Sequence, residues 1–165
     1  MKKQLTILAI LLVIIALFLW YQKTNKLATL PPGSQLAQVV SLTFGNTAVG
    51  STTDDTDSNH INASKFTSGS TGGTLSSISV YIASVVSGAP NNQYRVAIYA
   101  DQGGLPGALI AESAPTTITP NSWNTAPVTA NISPNTAYWL AYNTNGLDAA
   151  SNNMKYSSGT TNQTA

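Results

Sequence analysis

A run of oxygen-bearing side chains between residues 54 and 59 has the best spacing in this sequence for binding a metal ion. It reads Asp54-Asp55-Thr56-Asp57-Ser58-Asn59, with oxygen ligands at the alternate positions Asp55, Asp57 and Asn59. Calcium takes about six to eight oxygen ligands, so this spacing predicts a calcium-binding loop. The glycine and the distant glutamate of an EF-hand loop are missing, and a metal-free polar surface loop is the simpler alternative. A bound calcium ion would order the loop rather than take part in a reaction.

Aromatic side chains beside polar ones form a second pattern, which is typical of sugar binding. Aromatic rings stack on sugar rings, while amide, carboxylate or guanidinium groups form hydrogen bonds with the hydroxyls. The predicted ligand-binding residues are four on strand faces with small or polar neighbours and one at a predicted turn: Tyr81, Arg95, Tyr99 and Trp139, then Trp123. The alternative for each ring is a place in the core, because alternation forbids Trp139 and Tyr142 from facing the same way.

Groups that could catalyse a reaction are scarce in this sequence. Hydrolysis by a general acid and base needs two positioned carboxylates, but half of the six acidic residues crowd into 54–57. Asp101 and Glu112 flank a Gly-Pro hairpin, where polar turn residues are expected. His60 is the only histidine, and no Gly-x-Ser-x-Gly elbow accompanies it. Because cysteine is absent as well, the sequence predicts a protein that is not an enzyme.

From about Ser41 onward the pattern is one of short strands separated by turns. This region is rich in Ser, Thr, Asn and Gly, which disfavour helices. Alternation of side-chain types predicts strands over 75–83, 94–100 and 137–143, with shorter strands at 109–111, 128–132 and 154–157. In the three longer strands, alternation puts one set of side chains on the predicted inward face: Ile78, Val80 and Ile82, then Tyr94, Val96 and Ile98, then Tyr138, Leu140 and Tyr142. The Gly- and Pro-containing segment 101–107 predicts a broad hairpin connection. Residues 41–165 are therefore predicted to form an all-β, antiparallel β-sandwich of the jelly-roll type.

Four segments of this region form an ordered series, namely Val96–Asp101, Gly104–Ala111, Trp123–Thr125 and Thr136–Tyr142. The series resembles a jelly-roll module of exported bacterial and archaeal surface proteins, similar to carbohydrate-binding and lectin-like domains. Asn62–Thr67 fits the entry strand of such modules. The resemblance covers roughly residues 44–156 and lies mostly in turn and core residues, so it implies a fold and hardly specifies a ligand. Such modules usually continue with a further strand, which implies a domain truncated at its C-terminus.

The first 26 residues are predicted to be a signal-anchor or signal peptide. Two lysines precede an apolar run from Leu5 to Tyr21, which as a helix spans about 25 Å and nearly matches the hydrocarbon core of a bilayer. Trp20 and Tyr21 are poor cleavage residues and suit a membrane interface, so an uncleaved anchor is favoured over a secreted form. Residues 27–40, which contain Pro31-Pro32-Gly33-Ser34, are predicted to be a stalk or linker. The basic N-terminus is expected in the cytoplasm and the domain outside it.

The charge distribution argues against nucleic acid as a partner. The chain has seven basic and six acidic residues, and from Ser41 onward only three basic residues face all six acidic ones. Phosphate binding needs clustered Lys and Arg. We therefore expect a single-pass, surface-displayed, adhesion-like module that binds a glycan or a cell-envelope polymer and contacts the membrane through its N-terminal helix. Two alternatives stay open: a purely structural envelope or spacer subunit, and an accessory domain of a larger secreted enzyme.

Overall fold

The computed structural model describes residues 14–15, 17, 20–21, 41–56 and 58–158. The chain divides into two compact units, Met1–Val40 and Ser41–Ala165. In the first unit the described residues are helical. The rest of the predicted anchor at 1–26, and the whole predicted linker at 27–40, lie outside the described residues. Within the described part of the chain, no helical segment has the length and hydropathy needed to cross a membrane.

The second unit is built from antiparallel strands, which confirms the all-β prediction. Its described residues include no helix. The strands are β1 (Thr52–Thr53), β2 (Asn62–Thr67), β3 (Gly73–Ile82), β4 (Gln93–Gln102), β5 (Leu105–Glu112), β6 (Thr116–Thr117), β7 (Ser122–Ile132), β8 (Ala137–Thr144) and β9 (Lys155–Tyr156).

One layer of this unit is a five-stranded sheet with the order β2-β8-β4-β5, in which β6 also pairs with β4. Strand β8 lies between β2 and β4 and fixes their register. Trp139 of β8 is opposite Lys65 of β2 on one side and opposite Tyr99 of β4 on the other. Because side chains alternate along a strand, these three residues share one face of the sheet.

The second layer is the β3–β7 ladder, extended by the C-terminal strands. Ile82 at the end of β3 forms an antiparallel bridge with Met154, and the Ala83 amide donates to the Asn153 carbonyl at 2.7 Å. The chain then continues into β9, which pairs with β1. Residues 153–154, just before β9, therefore connect the two-stranded β1–β9 ladder to the end of the two-stranded β3–β7 ladder.

The core lies between the two layers and is supplied by alternate residues of their inner faces. The predicted inward side chains Ile78 and Ile82 of β3 are buried. The other buried apolar residues of this cluster come from β4, β7, β8 and one loop: Tyr94, Val96, Ile98, Ile118, Ala126, Val128, Ala130, Tyr138 and Tyr142. The predicted assignment of faces in β3, β4 and β8 is confirmed.

The connection between β4 and β5 is tighter than predicted. In place of a broad loop over 101–107, β4 continues to Gln102 and β5 begins at Leu105. The turn consists of Gly103 and Gly104, whose φ angles are 66° and 91°. Two consecutive positive φ values define the short hairpin turn that matches the twist of its strands. Pro106 lies inside β5, an edge strand, where its missing N–H costs no ladder bond.

The buried Tyr94 predicts a loss of stability at alkaline pH. Burial raises the pKa of the Tyr94 hydroxyl above its ordinary value, since an ionised phenolate would be poorly solvated there. The folded state holds this proton more tightly than the unfolded state. The contribution of Tyr94 to the free energy of unfolding is therefore complete below pH about 10 and is lost as the pH rises further. Urea unfolding between pH 8 and 11 should show this decline, and Tyr94→Phe should reduce it. An equally steep decline in Tyr94→Phe would contradict the assignment.

Candidate ligand-binding face

The outward side of the β3–β7 ladder carries the most suitable surface for a ligand. Along β7 the residues alternate strictly: the outward side chains are exposed, and the inward ones are buried except at the two ends of the strand, where they are half-buried. Trp123 is the largest outward side chain and is 41% exposed. Its position near the start of an 11-residue strand corrects the prediction of a turn at this residue.

Trp123 is held in place by its partner on the neighbouring strand. Tyr81 of β3 pairs with Trp123 of β7, and the two rings meet edge to face with centroids 5.7 Å apart and planes at 87°. This is a preferred geometry for aromatic pairs. The Tyr81 hydroxyl donates to the Asn121 carbonyl oxygen at 3.0 Å, with Asn121 Oδ1 at 3.3 Å. Tyr81 is therefore fixed at both ends of its ring, and it orients Trp123.

Hydroxyl groups continue the surface along both strands. Ser79 Oγ and Thr125 Oγ1 form a cross-strand hydrogen bond of 2.8 Å directly beside the aromatic pair. Pro127 lies opposite Ser77 at the next outward position. The outward residues of β3 and β7 are Thr74, Ser77, Ser79, Tyr81, Trp123, Thr125, Pro127, Thr129 and Asn131. None of them is charged at neutral pH.

This arrangement combines the two kinds of contact that sugar recognition uses. An exposed indole provides an apolar surface for the C–H face of a sugar ring. The Tyr81 and Thr125 hydroxyls and the Asn121 amide provide donors and acceptors close to that ring. Since no charged group lies on the two strand faces, an uncharged polar ligand matches this surface better than an ionic one.

The five predicted ligand-binding residues are divided between two surfaces. Tyr81 and Trp123 lie together on the outer face of the β3–β7 ladder, whereas Arg95, Tyr99 and Trp139 lie on the outer face of the five-stranded sheet. The core separates the two outer faces, so the five residues do not form one site. Local alternation shows which residues of one strand share a face, but not which strands are neighbours. It therefore could not reveal that Trp123 lies in a strand, or that the five residues lie on two surfaces.

Trp139 is buried although it faces away from the core. Only 1% of it is exposed, its Nε1 donates to Asp101 Oδ1 at 2.9 Å, and Lys65 Nζ lies 5.8 Å from its ring centroid. Lys65 also forms an ion pair with Asp101 at 3.9 Å. Asp101 Oδ2 accepts the Gly104 amide at 3.2 Å, which ties this network to the β4–β5 turn. In this structure Trp139 has no open ring face on which a sugar could stack.

Arg95 and Tyr99 remain accessible on the five-stranded sheet. Arg95 Nη1 lies 3.6 Å from Glu112 Oε1, and both side chains are about half exposed. Tyr99 is half-buried and pairs with Leu109 of β5 as well as with Trp139. These residues border an apolar surface on β5 and have no exposed aromatic partner comparable with Trp123.

The predicted calcium ligands stay a prediction. Asp57 lies outside the described residues. Asp55 is exposed, and Asn59 uses its Nδ2 to bond the Gly146 carbonyl at 2.9 Å. Asp54 Oδ1 accepts weak bonds from Thr56 at 3.4 Å within the same loop. Among the described residues, no three His, Cys, Asp or Glu side chains come together in a way that could hold a metal ion.

The sequence patterns missed three residues of the surface around Trp123. Asn121 has a positive φ of 53°, which is typical of Asn in turns, and the Pro120-Asn121 pair could have signalled that turn. Ser79 and Thr125 become partners only through the β3–β7 register. These two residues are 46 apart in sequence, so no local pattern signals their pairing.

Comparison of the chain with protein-family models, with curated proteins and with solved structures found no match.

Proposed function

We propose that this protein is a membrane-tethered, extracytoplasmic and non-enzymatic module that binds an uncharged carbohydrate through Trp123 and Tyr81. The observation that carries the proposal is the exposed Trp123 ring, held edge to face by Tyr81 and bordered by hydroxyl and amide groups. The outward residues of β3 and β7 include no carboxylate, histidine or lysine, so this face supports binding and has no acid–base pair for hydrolysis. Display outside the cytoplasm follows from the predicted N-terminal anchor.

The strand pairing supports a jelly-roll-type sandwich as the scaffold. Strand β2 pairs with β8, and β3, next along the chain, pairs with β7, the strand just before β8. Such nested pairing of early with late strands is a feature of jelly rolls, which fold a long hairpin over itself. Strand β8 also pairs with β4, so β4 lies in the same sheet as β2.

Replacing Trp123 by alanine should abolish most of the carbohydrate binding. The full chain in detergent would be applied to immobilised cellulose, chitin, xylan, mannan and peptidoglycan, and the retained fraction measured. We expect retention on at least one neutral polysaccharide, reduced by about tenfold or more in Trp123→Ala, because a central aromatic anchor dominates small interfaces. Tyr156→Ala is a matched control, since Tyr156 is also an exposed strand aromatic, at 38%, and should bind normally.

Two results would contradict the proposal: no retention on any polysaccharide, or equal losses in Trp123→Ala and Tyr156→Ala. Each binding assay would be run with calcium and with a chelator. Chelator-sensitive retention would support a calcium loop at Asp55, Asp57 and Asn59 that contributes to binding. Retention unchanged by the chelator would separate carbohydrate binding from that loop.

A further inference from the structure

Strand β5 carries an apolar surface at an open edge of the five-stranded sheet. Leu109 and Ile110 are 49% and 40% exposed, and they are consecutive residues of this one strand. On its other side β5 pairs with β4, and no described strand pairs with its outer edge. Several large apolar side chains exposed together mark an interaction surface more often than isolated ones do.

Two irregularities in the β4–β5 ladder shape this surface. The register shifts between Ile98 and Tyr99 and again between Tyr99 and Asp101. Ile110 is the extra residue at the first shift, since Ala111 and Leu109 pair with consecutive residues of β4. A bulge breaks the alternation of side chains, so the consecutive residues Leu109 and Ile110 are both exposed. Bulges also hinder the pairing of further strands along a sheet edge. This favours a contact between the side chains of two copies over a growing series of paired strands.

A pair of opposite charges lies next to the apolar residues. Glu112 is in β5 itself, and Arg95 is in the adjoining β4, with 3.6 Å between Nη1 and Oε1. Both side chains are about half exposed, so each has further capacity for a partner. A surface with one cation and one anion is complementary to its own copy turned by a twofold axis, because each Arg95 can then approach the other copy's Glu112.

We propose that the surface formed by Leu109, Ile110, Arg95 and Glu112 binds a second copy of this chain in a twofold-symmetric contact. The apolar side chains of the two copies cover one another, and the two charge pairs join across the axis. The net charge from Ser41 onward is low, with three basic and six acidic residues, so two copies repel each other only weakly. The contact leaves Trp123 on the other outer face, and the inference is independent of carbohydrate binding.

The absence of cysteine from the chain makes a direct test available, because one introduced cysteine can be cross-linked only to a second copy. Ala108→Cys places a thiol at an exposed position of β5 and keeps the apolar residues intact. Thr129→Cys, exposed on the outer face of β7, is the matched control. In the full chain, a short bis-maleimide should join Ala108→Cys at least about tenfold faster than Thr129→Cys. Adding Leu109→Asp should remove the difference.

Charge reversal gives a second, independent measurement on the same cross-link. In the Ala108→Cys background, Arg95→Glu yields a surface with two anions and Glu112→Arg yields one with two cations. Each variant alone should cross-link about tenfold more slowly than its parent, whereas an equimolar mixture of the two should recover the parental rate. Equal cross-linking of Ala108→Cys and Thr129→Cys, or a mixture no faster than the separate variants, would overturn the proposal.

Discussion

Replacing Asn152 by alanine is expected to lower the free energy of unfolding by about 3–5 kcal/mol, because its buried side chain makes two hydrogen bonds to the backbone. Asn152 is completely buried. Its Oδ1 accepts the Ser87 amide at 2.9 Å, and its Nδ2 donates to the Asn91 carbonyl at 2.8 Å. Alanine would remove the side-chain partner of both backbone groups. Its Cβ would also be held at a φ of 58°, which asparagine tolerates better than alanine.

Two further variants separate the causes of this loss in urea unfolding. Asn152→Gly keeps the loss of hydrogen bonds and removes the strain of the positive φ, so it should be less destabilising than alanine if strain contributes. Asn145→Ala is the matched control, because Asn145 also bonds one amide, that of Gln93 at 2.8 Å, and one carbonyl, that of Pro90 at 2.9 Å. Asn145 is only half-buried, so water can replace those bonds and a loss of about 1 kcal/mol is expected. Equal losses in Asn145→Ala and Asn152→Ala would contradict the argument.

Replacing Trp139 by alanine is the second change with a large expected effect, also about 3–5 kcal/mol of unfolding free energy. The substitution removes a ring that is almost wholly buried between β2 and β4. It also removes the N–H that donates to Asp101 and the aromatic face beneath Lys65. Urea unfolding of the full chain would measure the loss.

Trp123→Ala is the control for this variant, because it removes the same side chain from an exposed position. We expect a loss of at most about 1 kcal/mol of unfolding free energy there, because truncating an exposed side chain leaves little or no cavity. Trp139→Phe should fall between the two alanine variants, because the ring is largely retained while Asp101 loses one donor. Equal stability of Trp123→Ala and Trp139→Ala would contradict the different environments of the two rings.

Local alternation was enough to predict most of the strands and their inward faces. Ile78 and Ile82 in β3, and Val96 and Ile98 in β4, face the core as predicted because a two-residue period is a local property. The same rule placed Trp139 on the outer side of β8 and left its exposure open. Its burial depends on Lys65 and on Asp101, which reach it from β2 and β4.

The predictions that failed for β7 and for the surface around Trp123 have the same physical cause, which is pairing between residues distant in sequence. Pro127 and the polar residues before it obscured the first half of β7, which is a strand because β3 pairs with it from Ser122 to Ile132. The site around Trp123 likewise depends on the register that brings Tyr81 opposite. The many asparagines looked like turn residues, yet Asn152 joins two segments distant in sequence. A composition cannot reveal such partners.

The position of β8 between β2 and β4 has a consequence for the order in which the sandwich can assemble. Asn62 at the start of β2 finds its partner only in Tyr142, so the five-stranded sheet has a high contact order and should form slowly. A chain that is synthesised from its N-terminus cannot complete this sheet until β8 has been made. Shortening the chain before Ala137 would therefore remove the strand that joins β2 to β4, and separate pieces would remain in place of a smaller sandwich.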